Sequence, residues 1–128
     1  MPEIHPTAIL DGNITLADDV VIGPHCVLQG DISIGGKTRL IGNSYLTGKL
    51  ELGENNTIYP FVTIGFAAQD INFPHDQYEP GILIGKNNIF REGVTIHRAT
   101  KELPTTIGSG NLFMTTSHVA HDCQIGDN

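Results

Sequence analysis

The chain has 128 residues, enough for one domain, with a net charge of −7, 16% charged residues and 15 glycines. That acidic balance argues against nucleic acid as a partner, and no apolar run approaches the roughly 18–20 residues that span a bilayer. Residues Met1 to Ile4 lack a charged start with an apolar run behind it, so no signal peptide is expected and a cytoplasmic location is.

From Ile4 onward a large aliphatic residue recurs at every sixth position: Ile4, Leu10, Leu16, Ile22, Leu28, Ile34, Leu40, Leu46, Leu52, Ile58 and Ile64. The beat resumes at Ile84, Phe90 and Ile96, and again at Ile107, Phe113, Val119 and Ile125. Neither a helix nor a flat sheet has this period, whereas a parallel β-helix of hexapeptides does. The fourth residue after each anchor (Ala8, Ile14, Val20, Cys26, Ile32, Thr38, Ser44, Leu50, Asn56, Val62) shares the anchor's face on an extended segment and is expected to point inward. Cys26 and Cys123 both fall on that position, which assigns them to core packing rather than to a disulfide framework. Glycines that follow an anchor, as in Ile22-Gly23 and Ile34-Gly35, are read as corners that need conformational freedom.

Two interruptions break the beat, and loops are expected at 65–83 and 101–106. If each bulges from a corner, the threefold phase survives, and Ile64, Ile96 and Val119 lie on one side of the prism on successive turns. Both loops then leave the same edge, where His97 and His121 sit one turn apart. A slender prism buries little apolar surface per residue, so side-by-side trimers are expected.

The segments Ile4-His5-Pro6-Thr7-Ala8, Gln69-Asp70, Arg91-Glu92-Gly93-Val94-Thr95-Ile96-His97-Arg98 and His118-Val119-Ala120-His121-Asp122-Cys123 resemble the UDP-N-acetylglucosamine O-acyltransferase family of lipid A biosynthesis, over the full chain. The resemblance implies a left-handed all-β helix of just under six turns. It implies transfer of an (R)-3-hydroxyacyl group from acyl carrier protein to the sugar 3-hydroxyl of UDP-GlcNAc, by a homotrimer, without cofactor or metal. Carried over by position, His121 matches the general base and Asp122 the residue that orients it. His97 and His118 match positions lining the sugar-nucleotide cleft, and Gln69 and Asp70 match sugar contacts on the long loop. The chain departs from the family at Ile71-Asn72, where a basic residue is usual, and in a loop containing His75 and Tyr78. It also ends at Asn128, where the family continues, so a truncated form of a longer enzyme is expected.

Three alternatives stay open beside that reading. His97, His118 and His121 are a conceivable zinc set on the same fold. An acetyl-CoA-dependent sugar acetyltransferase is close in chemistry, and a non-catalytic trimeric scaffold is the non-enzyme alternative. Carrier protein is acidic, so Lys86, Arg91, Arg98 and Lys101 are expected to form part of a basic docking patch.

Overall fold

The computed structural model describes residues 1–128 and contains strands and turns but no helix. Its strands are β1 (Glu3–Ile4), β2 (Ile9–Leu16), β3 (Val21–Ile22), β4 (Val27–Ile34), β5 (Arg39–Leu40), β6 (Tyr45–Leu52), β7 (Thr57–Ile58), β8 (Thr63–Phe66), β9 (Ile82–Ile84), β10 (Ile89–Phe90), β11 (Thr95–His97), β12 (Thr105–Ile107), β13 (Leu112–Phe113), β14 (His118–Val119) and β15 (Gln124–Ile125). Pairing is parallel throughout, and each strand stacks on the equivalent strand of the next coil, as in Ile4↔Ile22 and Leu28↔Leu46. β1, β3, β5, β7, β10 and β13 make one face of the prism. The first halves of β2, β4 and β6 continue into β8, β11 and β14 on the second face, and their second halves into β9, β12 and β15 on the third.

The sixfold anchors form the core. Ile22, Leu28, Leu40, Leu46, Ile58, Ile64, Phe90 and Ile96 are all fully buried, and so are the inward residues Val20, Cys26, Ile32 and Val62. Cys123 is half-buried against the same core. From Thr38 onward, the inward residues on the corner from the third face to the first are polar and form a ladder. Thr38 donates its hydroxyl to the Gly53 carbonyl at 2.9 Å, and Asn56 donates to Gly53 and Gly85 at 2.9 and 3.0 Å. Asn88 donates to Gly108 at 2.9 Å, while the Asn56 side-chain oxygen accepts from the Asn88 amide at 2.9 Å. Each rung thereby satisfies backbone groups that the prism would otherwise bury unpaired.

Of the glycines that follow an anchor, Gly65 has the left-handed freedom expected, at φ 106°, but the others serve another purpose. The left-handed backbone lies three residues after the anchor, at His25, Asn43 and Phe61 on one corner and at Lys37, Asn55 and Asn87 on another. Gly23 has no such conformation; a Cβ there would stand 2.1 Å from the Ile41 carbonyl oxygen of the next coil. It is glycine because the coils stack backbone on backbone.

The corner from the second face to the third differs from the other two. In the first coils β2, β4 and β6 run straight through it on Gly12, Gly30 and Gly48, at φ of 112°, 131° and 81°. Both insertions then leave from this corner on consecutive coils, after β8 and after β11. Their bounds are shifted from 65–83 and 101–106. β8 continues through Phe66, and Thr105 and Thr106 are already strand, paired with Ile82 and Leu83, so the insertions are 67–81 and 98–104. The next coil closes the corner tightly again, with Asp122 left-handed at φ 65°.

Candidate functional site

The corner carrying the insertions brings together four of the six residues singled out from the sequence. His97 ends β11, His118 opens β14 on the stacked strand, and His121 and Asp122 form the turn above the second insertion. The rings of His97 and His118 meet edge to face, with centroids 4.7 Å apart at 71°. His118 Nδ1 lies 2.8 Å from the Thr95 hydroxyl and 3.2 Å from the Thr95 carbonyl oxygen. His97 Nδ1 is buried without a hydrogen-bond partner. Burial lowers the His97 pKa below the usual histidine value, and the charges of His118, His121 and Arg98 push it the same way.

His121 Nδ1 stands 2.7 Å from Asp122 Oδ2. Asp122 has five contacts in all. Its Oδ1 accepts from the Thr100 and Lys101 amides at 2.9 and 3.0 Å, and its Oδ2 also accepts from the Thr100 hydroxyl at 2.5 Å. Its own amide donates to the Thr105 hydroxyl at 2.9 Å. Burial alone would raise the carboxyl pKa, but the hydrogen bonds from His121, Thr100 and the Lys101 amide outweigh it and hold it far below the usual carboxylate range. Asp122 is therefore ionised at neutral pH and has no proton to give, so His121 Nδ1 carries the hydrogen between them. In the neutral ring the lone pair then lies on Nε2.

Gln69 and Asp70 are placed on the first insertion, away from this dyad in the chain but rooted at the same corner two coils earlier. Gln69 is exposed. Asp70 folds back on its own loop, where Oδ1 accepts from the Asn72 amide at 3.0 Å and the backbone carbonyl from the Phe73 amide at 3.2 Å. Its carboxylate shapes the turn that follows Gln69.

Arg98 has a role that the sequence reading did not give it. Its side chain is not part of an exposed patch; the residue is only 3% accessible. The guanidinium donates to the carbonyls of Gly65 at 2.7 Å, Gln77 at 3.0 Å and His75, and stacks 4.8 Å from the Tyr78 ring centroid. It ties the first insertion down onto the second. The expected basic patch is dispersed as well. Lys86 lies on the corner after the third face, Arg91 on the corner after the first, where it pairs with Glu92 at 2.8 Å, and Lys101 on the corner after the second. Residues close in sequence diverge around the prism because each corner turns the chain.

Thr100 and Thr105 were missed as well, although for Thr100 the coil count was enough. Ile96 stacks on Val119, an offset of 23 residues, and the same offset sets Asp122 over residue 99, beside Thr100. Beside the dyad lies an open groove of about 730 Å³ lined by Thr100, Lys101, Glu102, Leu103, Asp122 and Gln124. A second groove of about 560 Å³ on the third face surrounds the Lys49–Glu79 pair and has no histidine in its lining. No three His, Cys, Asp or Glu side chains converge as a metal site would require. His121 Nδ1 is committed to Asp122.

No family model matches the chain. It is similar to the acyl-[acyl-carrier-protein]–UDP-N-acetylglucosamine O-acyltransferase of Thermodesulfovibrio yellowstonii, with 47% identity over 130 positions covering 99% of this chain and 49% of that protein. The enzyme of the same name from Syntrophobacter fumaroxidans is 42% identical, over 98% of this chain and 49% of its own length. Among solved structures, LpxA from Acinetobacter baumannii superposes with a TM-score of 0.91 at 40% identity, covering 97% of this chain and 48% of that one. The Francisella novicida UDP-N-acetylglucosamine acyltransferase superposes at 0.89 with 33% identity, over 97% and 45%. The left-handed parallel β-helix of these structures is the fold of this chain. The chain spans about half the length of the curated relatives it matches.

Proposed function

Because the chain belongs, over the half of their length that it spans, with the UDP-N-acetylglucosamine O-acyltransferases, we propose that it transfers an (R)-3-hydroxyacyl group from acyl carrier protein to the 3-hydroxyl of UDP-GlcNAc, the first step of lipid A synthesis. The observation that carries this reading is the His121–Asp122 pair at 2.7 Å, with the base nitrogen left free, on the corner from which both insertions leave.

In this mechanism His121 Nε2 accepts the proton of the sugar hydroxyl as that oxygen attacks the thioester carbonyl. The carboxylate of Asp122 stabilises the imidazolium that forms, and the proton passes on to the departing thiolate as the tetrahedral intermediate collapses. His97, kept neutral by burial and by cationic neighbours, suits a polar contact to an uncharged sugar group. His118 lies against it, and both are assigned to the acceptor cleft. Gln69, exposed just before the Asp70 turn, is assigned to the sugar, with Asp70 as a second contact.

A homotrimer is part of the same proposal. Phe61, Ile89, Leu112 and Met114 are exposed along the first face and its following corner, and packing between protomers would remove that apolar surface from water. The acyl carrier protein surface is left unassigned, since the four basic residues do not form one patch. No helix is long and apolar enough to cross a membrane.

The test is product formation from UDP-GlcNAc with (R)-3-hydroxyacyl carrier protein, run in parallel with the matching coenzyme A thioester. Formation of 3-O-acyl UDP-GlcNAc with a preference for the carrier-protein donor is the expected result. A trimer that forms no acylated sugar from either donor would overturn the reading in favour of a scaffold.

A further inference from the structure

The dyad geometry is set from outside the hexad framework. Asp122 presents two oxygens with about four acceptor directions between them, and four donors occupy them: His121 Nδ1, the Thr100 hydroxyl, the Thr100 amide and the Lys101 amide. Three of those donors come from residues 100 and 101, inside the second insertion rather than on a strand of the prism. Thr100 alone supplies two, one to each oxygen, so the carboxylate cannot turn about its own axis without losing both. The acceptor is ionised, so the Thr100 hydroxyl has to be the donor.

We propose that Thr100 is a positioning residue: it locks the Asp122 carboxylate so that one oxygen holds the His121 Nδ1 hydrogen and keeps Nε2 as the lone-pair nitrogen facing the acceptor. The insertion carrying Thr100 is anchored two residues earlier by Arg98, which is buried against the carbonyls of Gly65, Gln77 and His75. The same hydrogen-bonded path thus joins the first insertion, the second insertion and the base. The charged and titratable groups around the dyad are His97 and His118 on β11 and β14, and Arg98, Lys101 and Glu102 on the insertion. None of them competes for Asp122 through its side chain.

A purely structural role, Thr100 as the cap of its own insertion, makes a different prediction, because its loss would loosen the loop without altering the His121 ring. The proposal rests on His121 being the base, yet its main test needs no turnover. In ¹⁵N-labelled protein at neutral pH, His121 is expected as a single Nδ1–H tautomer with a slowly exchanging ring proton. Thr100→Val should speed that exchange roughly tenfold and admit the other tautomer, and Thr100→Ser should restore the wild-type behaviour. Thr100→Ala reports the same readout if valine disturbs the insertion. His5 and His25, on the first coils, serve as internal controls for an intact fold.

In the acyl-transfer assay Thr100→Val should lower kcat roughly tenfold with KM for UDP-GlcNAc unchanged, the pattern of a lost transition-state interaction. Unaltered His121 tautomer and exchange in both Thr100→Val and Thr100→Ala, with the control resonances in place, would overturn the proposal. A wild-type chain without turnover would overturn the functional reading and leave the ring-exchange result to decide this one.

Discussion

Asp122 occupies a left-handed corner with φ of 65°, a conformation that Asp and Asn tolerate better than most residues because their short side chains bond locally. Two opposing effects act on its carboxyl, burial raising the pKa and four donors lowering it, and the donors win. A carboxyl whose folded pKa lies below its unfolded value of about 3.9 stabilises the fold fully above that pH, and the stabilisation fades as the pH falls through it. Asp122→Asn keeps the corner and removes this dependence. The stability gap between the two proteins should be constant near neutrality and shrink below about pH 4, measured by urea unfolding across pH. His97 acts through burial of a base. Its folded pKa is lowered, so below about pH 6.5 the unfolded chain takes up the proton more readily and stability falls as the pH drops. His97→Gln should flatten that slope; an unchanged slope would mean that the ring protonates freely in the folded protein.

At the scale of elements, the ladder of Thr38, Asn56, Asn88 and Asn111 joins coils that the aliphatic anchors alone would let slip. Asn88 both donates to Gly108 and accepts from the Asn111 amide at 2.8 Å, so Asn88→Ala leaves buried backbone groups unpaired. It should cost about 1–3 kcal/mol in chemical denaturation, whereas Asn13→Ala, at an exposed pair on β2, should cost almost nothing. The insertions depend on Arg98 in the same way. Arg98→Met keeps the length of the side chain but frees three carbonyls, so amide hydrogens between 67 and 81 should exchange faster while those of β6 and β10 stay protected. The strands and their inward positions were legible in the sequence because a stacked coil repeats the same steric demand every six residues. The corner of the insertions was legible for the same reason, since the phase of Ile64, Ile96 and Val119 survives both gaps. The polar ladder and the Arg98 anchor were not, because hydrogen-bond partners one coil apart are set by atomic detail within the turns. The proposed basic patch failed on the same ground: Lys86, Arg91 and Lys101 are neighbours in the chain and occupy three different corners.

For the whole molecule, the prism concentrates its chemistry on one edge. Two faces repeat with tight corners, and the third corner carries both loops, the two stacked histidines and the dyad. Thr95, His97 and His118 are held by strands, while Asp122 is held by a loop, so the proposed site belongs partly to each. Exposed Phe61, Leu112 and Met114, at 67%, 58% and 63% accessibility, leave apolar surface that self-association would cover. Light scattering across a dilution series should return the mass of three chains, and Leu112→Lys should shift it toward the monomer. A monomer at all concentrations would contradict the trimer while leaving the dyad in place.

Removal of the acceptor hydroxyl proton by His121 is tested by single-turnover acyl transfer at saturating UDP-GlcNAc, comparing the chain with His121→Ala. The variant should bind UDP-GlcNAc within a few-fold of the wild type and transfer the acyl group slower by roughly 10²–10⁴. Equal transfer rates in the two proteins would contradict it.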